Sequence, residues 1–145
     1  MSRIALGIAV LMIAGSLNAA FSQDRAPGSF GAFWASLQGA VRASDGDKIA
    51  ALAQFPVTIR GQLDSAKARR VDQAQFKKEL PRWLNQDSGL SARGESMRSY
   101  ILRTDASTLE RGRQRESSDR MIRAGAFQFE RGDGGWRLTQ VYEER

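Results

Sequence analysis

The chain has 145 residues, with 22 basic against 16 acidic side chains, a net charge of +6, and neither histidine nor cysteine. Without imidazole or thiolate, the usual general base near neutral pH and most zinc, copper, haem and iron–sulfur sites are excluded, so no cofactor and no metal site are expected. Stability in an oxidising compartment would rest on packing without disulfides, and basic charges interspersed with acids argue against nucleic acid as a partner.

The opening "MSRIALGIAVLMIAGSLNAAFSQDR" carries one basic residue, Arg3, an apolar run over 4–17, and small residues ahead of Gln23 and Asp24. That is the layout of a bacterial secretory signal peptide. A membrane span needs about 20 apolar residues, and Gly7, Gly15, Ser16 and Asn18 interrupt this run, so cleavage is expected after Ser22, with Ala20 as the nearby alternative. No cysteine follows, which excludes lipoprotein processing. The expected organisation is a signal peptide over 1–22, a linker over 23–29, and one domain over 30–145. The expected location is periplasmic or secreted, with no integral span after cleavage.

Ser29 can cap a helix from 30 toward 43, whose Phe30, Phe33, Trp34, Leu37 and Val41 share one face. The break "SDGD" follows, and Asp45 or Asp47 can cap a short second helix, "KIAALAQF", closed by Pro56. "VTIRGQLD" has the β-branched content of a strand, and "DSAKARR" reads as a polar loop. Asp72 can cap a third helix, "QAQFKKELPRWLNQ", with Phe76, Leu80, Trp83 and Leu84 inward and a kink or restart at Pro81. After the loop "DSGLSARGES", the alternation in "MRSYILR" predicts a strand. Residues 105–120 are almost wholly polar and read as an excursion or a charged edge strand, with Arg111, Arg113, Arg115 and Arg120 clustered there.

The chain closes with two expected strands, "MIRAGAFQFER" and "WRLTQVYEE". With Asp133-Gly134 at the centre of a type I′ turn, Arg131 would face Trp136, Glu130 would face Arg137, and Phe129 would face Leu138. That register sets apolar against apolar and acid against base. The Arg131-Gly132-Asp133 triplet is then a strand end and a turn rather than an adhesion motif. It is not a phosphate loop either, since no Lys-Ser or Lys-Thr follows it.

The segments "FWASLQGAVRASDGDKIAALAQFPV" and "FQFERGDGGWRLTQV", within the order helix, helix, strand, helix, strands and terminal hairpin, resemble the nuclear transport factor 2-like superfamily, to which ketosteroid isomerases belong. The resemblance covers about residues 30–142. It implies an α+β fold in which N-terminal helices pack on a strongly curved antiparallel sheet, cone-shaped, with a cavity between helices and sheet. Members include isomerases, dehydratases, ligand-binding proteins and scaffolds, many of them dimeric through the outer sheet face, so a homodimer is one expected assembly.

With no histidine, no cysteine and no catalytic motif, the expected function is non-enzymatic binding of a small molecule or an envelope protein. Trp34, Trp83, Arg98 and Tyr100 are the candidate ligand-binding residues, since pockets combine aromatic walls with a few polar groups. An alternative is an isomerase or lyase using Asp105 or Glu95 as a carboxyl raised by desolvation, with Tyr100 stabilising an oxyanion. A third is an interaction protein docking through its sheet face or through Arg111, Arg113 and Arg115.

Overall fold

The computed structural model describes residues 28–61, 63, 65–113 and 119–144. The expected signal peptide and all but the end of the expected linker lie outside the described residues, as do Gln62, Asp64 and Arg115.

Ser29 starts helix α1 (Phe30–Arg42): its hydroxyl accepts from the Ala32 amide at 3.1 Å, satisfying a donor that a helix start leaves open. Phe30, Phe33, Trp34, Leu37 and Val41 are all buried, so the stripe faces inward as its spacing predicts. Each such burial contributes about 1.5–3 kcal/mol. Ser44 then turns the chain in the left-handed region at φ +53°. Asp45 caps α2 (Gly46–Ala51) by accepting from the Lys48 amide at 3.0 Å.

Pro56 does not close α2. The helix ends at Ala51, and Pro56 lies inside strand β1 (Ala53–Gly61) after a cis peptide bond. A strand tolerates proline where no ladder donor is needed, and here the β1 register shifts between Ala53 and Thr58. The expected polar loop after it contains a short strand, β2 (Arg69–Val71), paired antiparallel to β1 with Val57 opposite Val71. Only Val71 of the three is buried. Such an edge strand keeps its charges outward and leaves no apolar alternation to read.

Helix α3 (Gln73–Asn85) is capped by Asp72, whose carboxylate accepts from the Gln75 amide at 2.8 Å. Phe76, Leu80, Trp83 and Leu84 are buried as expected. The helix continues without a break through Pro81 rather than restarting. Pro81 and Lys77 are both exposed, so water can serve the Lys77 carbonyl that proline leaves without its donor.

"MRSYILR" forms a helix, α4 (Met97–Arg103), not a strand. Met97, Tyr100 and Ile101 are buried while Ser99 is exposed, which is helical spacing. Ser96 caps it by accepting from the Ser99 amide at 3.2 Å, and a run this short fits both periods. Residues expected to be an excursion or edge strand form α5 (Ala106–Arg113), anchored by buried Leu109; residues 114–118 lie outside the described set.

The long strand expected from 121 is itself a hairpin, β3 (Met121–Ala124) and β4 (Phe127–Gly132). Gly125, at φ +58°, opens a two-residue loop between Ala124 and its partner Phe127, as a II′-type turn requires. Strand β5 (Gly135–Glu143) pairs with β4 in the predicted register: Phe129 with Leu138, Glu130 with Arg137, Arg131 with Trp136. The turn is not type I′, because the left-handed residue is Gly135, at φ +93°, rather than Asp133 or Gly134.

The sheet order is β2-β1-β5-β4-β3, and the β1–β5 pair is parallel. The sheet is therefore mixed rather than wholly antiparallel. It is neither closed nor strongly curled, and the architecture is α+β, with helices packed against the five strands. Thr139 is an extra residue in the β4–β5 register, which passes from Gln128–Gln140 to Phe129–Leu138. This bulge lets both Leu138 and Val141 enter the core. It also brings Glu143 beneath Trp83.

Between helices and sheet, Trp34 stacks on Phe30 (5.8 Å, 25°) and meets Phe129 edge-on (5.8 Å, 87°), while Phe76 packs between Phe55 and Trp83. These rings lie between helices and sheet, where the resemblance implies a cavity.

At one end of α3, Arg69 and Arg82 alternate with Glu79 and Glu143. The Arg69 guanidinium holds the Glu79 carboxyl down at about 2, with help from Gln75 and Arg82. Burial pushes Glu143 upward, but hydrogen bonds from Trp83, Arg82 and Arg69 outweigh it and leave its pKa lowered. Both folded values lie below that of an unfolded glutamate, about 4.3. The network's contribution is therefore complete above that pH and is lost as pH falls through the folded values. Urea midpoints should decline steadily from about pH 4.3 toward pH 2, and Glu79→Gln should flatten that decline. An unchanged slope in the variant would exclude the network as its cause.

Candidate functional site

The C-terminal ends of β1 and β5 lie side by side, with Arg60 opposite Tyr142. On β5 the bulge turns Tyr142 away from the core, and its hydroxyl donates to Gln128 on β4 at 3.1 Å. Arg123 on β3 places its guanidinium carbon 3.8 Å from the Tyr142 ring centroid, a close cation–π contact. Arg60 is anchored through Nε to Gln140 and Arg123 through Nε to the Gly125 carbonyl, both at 3.2 Å. Two cations thus flank one aromatic ring across the outer face of the sheet.

The residues 86–90 form the facing wall. Ser88 donates its amide to Glu95 and Met97 donates to the Gln86 carbonyl, while the Gln86 side chain donates to the Tyr142 carbonyl at 2.8 Å. Asp87 accepts from the Gly89 amide at 2.8 Å. Gly125 brings the β3–β4 turn hard against this wall: a Cβ there would lie 2.7 Å from the Met97 sulfur and 2.9 Å from the Ser88 carbonyl. The result is an open cleft of about 660 Å³ between strand ends, turn and loop, a volume ordinary for a small-molecule site. Leu63 and Leu90 line it while 73 % and 59 % exposed.

The sequence-predicted residues lie elsewhere. Trp34 is buried and donates Nε1 to the Thr104 carbonyl at 2.7 Å. Tyr100 reaches the same seam between α1 and α4, where Thr104 Oγ1 donates to its carbonyl, and burial pushes its phenol pKa up. Trp83 is buried beside Glu143, to which it donates at 2.9 Å. Arg98 donates to the Val41 carbonyl at 2.6 Å, where a cation suits the C-terminal end of α1. Trp34 and Tyr100 share Thr104 as a hydrogen-bond partner, and none of the four is among the residues lining the cleft.

The residues of the enzymatic alternative are also separate. Glu95 is not a carboxyl raised by desolvation: the Arg103 guanidinium, bound through two hydrogen bonds, lowers its pKa. Asp105 is exposed at the start of α5. Arg111 donates to Thr108 and Arg113 to the Asp119 carbonyl.

Among the described residues, no group of three or more carboxylates is placed to hold a metal ion, and no helix is long and apolar enough to cross a membrane. The signal for the cleft that sequence reasoning missed is the pair of leucines, each alone in an otherwise polar loop, in "GQLDSAK" and "DSGLSAR". Comparison with protein-family models, curated proteins and solved structures finds no match for this chain.

Proposed function

We propose that this protein is a non-enzymatic binding domain of the bacterial envelope, built on a nuclear transport factor 2-like plan and carrying its ligand on the outer end of the sheet. Export is supported by the apolar leader, and the plan by the order helix, helix, strand, helix and terminal hairpin. One observation carries the choice of site. Arg60, Tyr142 and Arg123 line one cleft outside a core whose aromatic side chains already pack against one another. Charged and aromatic groups exposed together on a formed surface favour recognition over packing.

Protein recovered from the envelope of an expressing bacterium should carry a small-molecule mass under native ionisation. The double variant Arg60→Gln/Arg123→Gln should lack it. The same adduct on both proteins, or none on the wild type, would contradict this function.

A further inference from the structure

The chemistry of the cleft narrows its ligand, an inference that rests on the cleft being the site. Its cationic side is fixed by strand geometry, because Arg60 pairs with Tyr142 in register and Arg123 lies over the same ring. Each guanidinium is held through Nε, a tether that suits the end-on groups to a planar or tetrahedral anion. Among the described residues, Asp87 is the one acid lining the cleft, and the Gly89 amide already draws on its carboxylate.

The cleft also carries exposed apolar side chains. Leu63 and Leu90 are the large hydrophobic side chains most exposed in the described fold, and both line this cleft rather than scattering over the surface. Isolated exposed leucines need no explanation, whereas two on one cleft that also holds two cations form an amphipathic surface.

We infer that the ligand is a single-chain anionic amphiphile, with a phosphate or carboxylate head between Arg60 and Arg123 and a short alkyl chain running out between Leu63 and Leu90. The head would gain charge-assisted hydrogen bonds, and the chain would cover apolar surface now in water. Neither half alone accounts for the pairing of cations with leucines.

Calorimetric titration of the envelope-recovered protein with octyl phosphate, octyl glucoside and inorganic phosphate tests this, after release of any bound molecule. Octyl phosphate should bind at least about tenfold more tightly than either other probe, and Arg60→Gln/Arg123→Gln should weaken it by about tenfold or more. Leu63→Ser/Leu90→Ser should weaken it by a similar factor. All four positions are exposed, and circular dichroism verifies that the variants fold.

Equal binding of octyl glucoside would overturn the anionic class, and equal binding of inorganic phosphate would overturn the amphiphile, while either effect abolished by the cleft variants would leave the cleft itself standing. Octyl phosphate affinity unchanged in both variants would place binding elsewhere and defeat the cleft as well. Cosedimentation with phosphatidylglycerol vesicles without octyl phosphate binding would overturn the single-molecule ligand in favour of a membrane surface.

Discussion

Replacing Trp34 with alanine should destabilise the protein by about 4 kcal/mol, near the middle of the range for removing a buried tryptophan. The side chain is 1 % exposed, stacked on Phe30 and edge-on to Phe129, and its indole donates to the Thr104 carbonyl. Removing it leaves a cavity where α1, α4 and β4 meet. Because domains of this size are typically stable by only about 5–15 kcal/mol, the urea midpoint should fall steeply or the cooperative transition should vanish. Trp34→Phe keeps most of the volume, and Gln38 still donates to Thr104 at 3.0 Å, so a cost of about 1–2 kcal/mol is expected. A wild-type midpoint for Trp34→Ala would mean that this residue is not a core anchor.

Gly125→Ala should cost about 3 kcal/mol, from two sources. A side chain at φ +58° is strained by about 1–2 kcal/mol, and the new Cβ meets a backbone oxygen at 2.9 Å as well as the Met97 sulfur. The methionine side chain can swing aside, but the Ser88 carbonyl belongs to a segment tied to Glu95 through the Ser88 amide and to the Met97 amide through the Gln86 carbonyl. Relief must therefore move the cleft wall, and ligand affinity should fall with stability. Gly134→Ala is the control, with no positive φ and no neighbour nearer than 4.0 Å. Equal urea midpoints for the two variants would contradict the close approach at Gly125.

The starts of α1, α2 and α3 were legible because Ser29, Asp45 and Asp72 are capping residues placed just ahead of apolar-periodic segments. The terminal hairpin was legible because one register sets Glu130 against Arg137 and Phe129 against Leu138. Four elements hid for different physical reasons, among them α5, whose single buried residue, Leu109, leaves no apolar stripe to read. In "MRSYILR" the apolar residues satisfy both a period of two and helical spacing. In β2 the charges that protect an edge erase the strand pattern. At "AGAF" a glycine inside an apolar run concealed a turn. Aromatic stripes identified the interior, in which Trp34 and Trp83 are core residues with satisfied indoles. The cleft draws Arg60, Leu90, Arg123 and Tyr142 from four distant segments. Their juxtaposition depends on the parallel β1–β5 pair and the Thr139 bulge, which no local pattern announces.

Under the proposed function, recognition occurs at the outer end of the sheet while the helix–sheet interior remains packed. A two-dimensional proton–nitrogen correlation spectrum recorded before and after addition of octyl phosphate tests it most directly. Shifts are expected at the amides of Gly61, Gly89, Gly125 and Tyr142, with the indole signals of Trp34 and Trp83 unmoved. Movement of those two indoles with the cleft amides unchanged would contradict it and return the site to the interior.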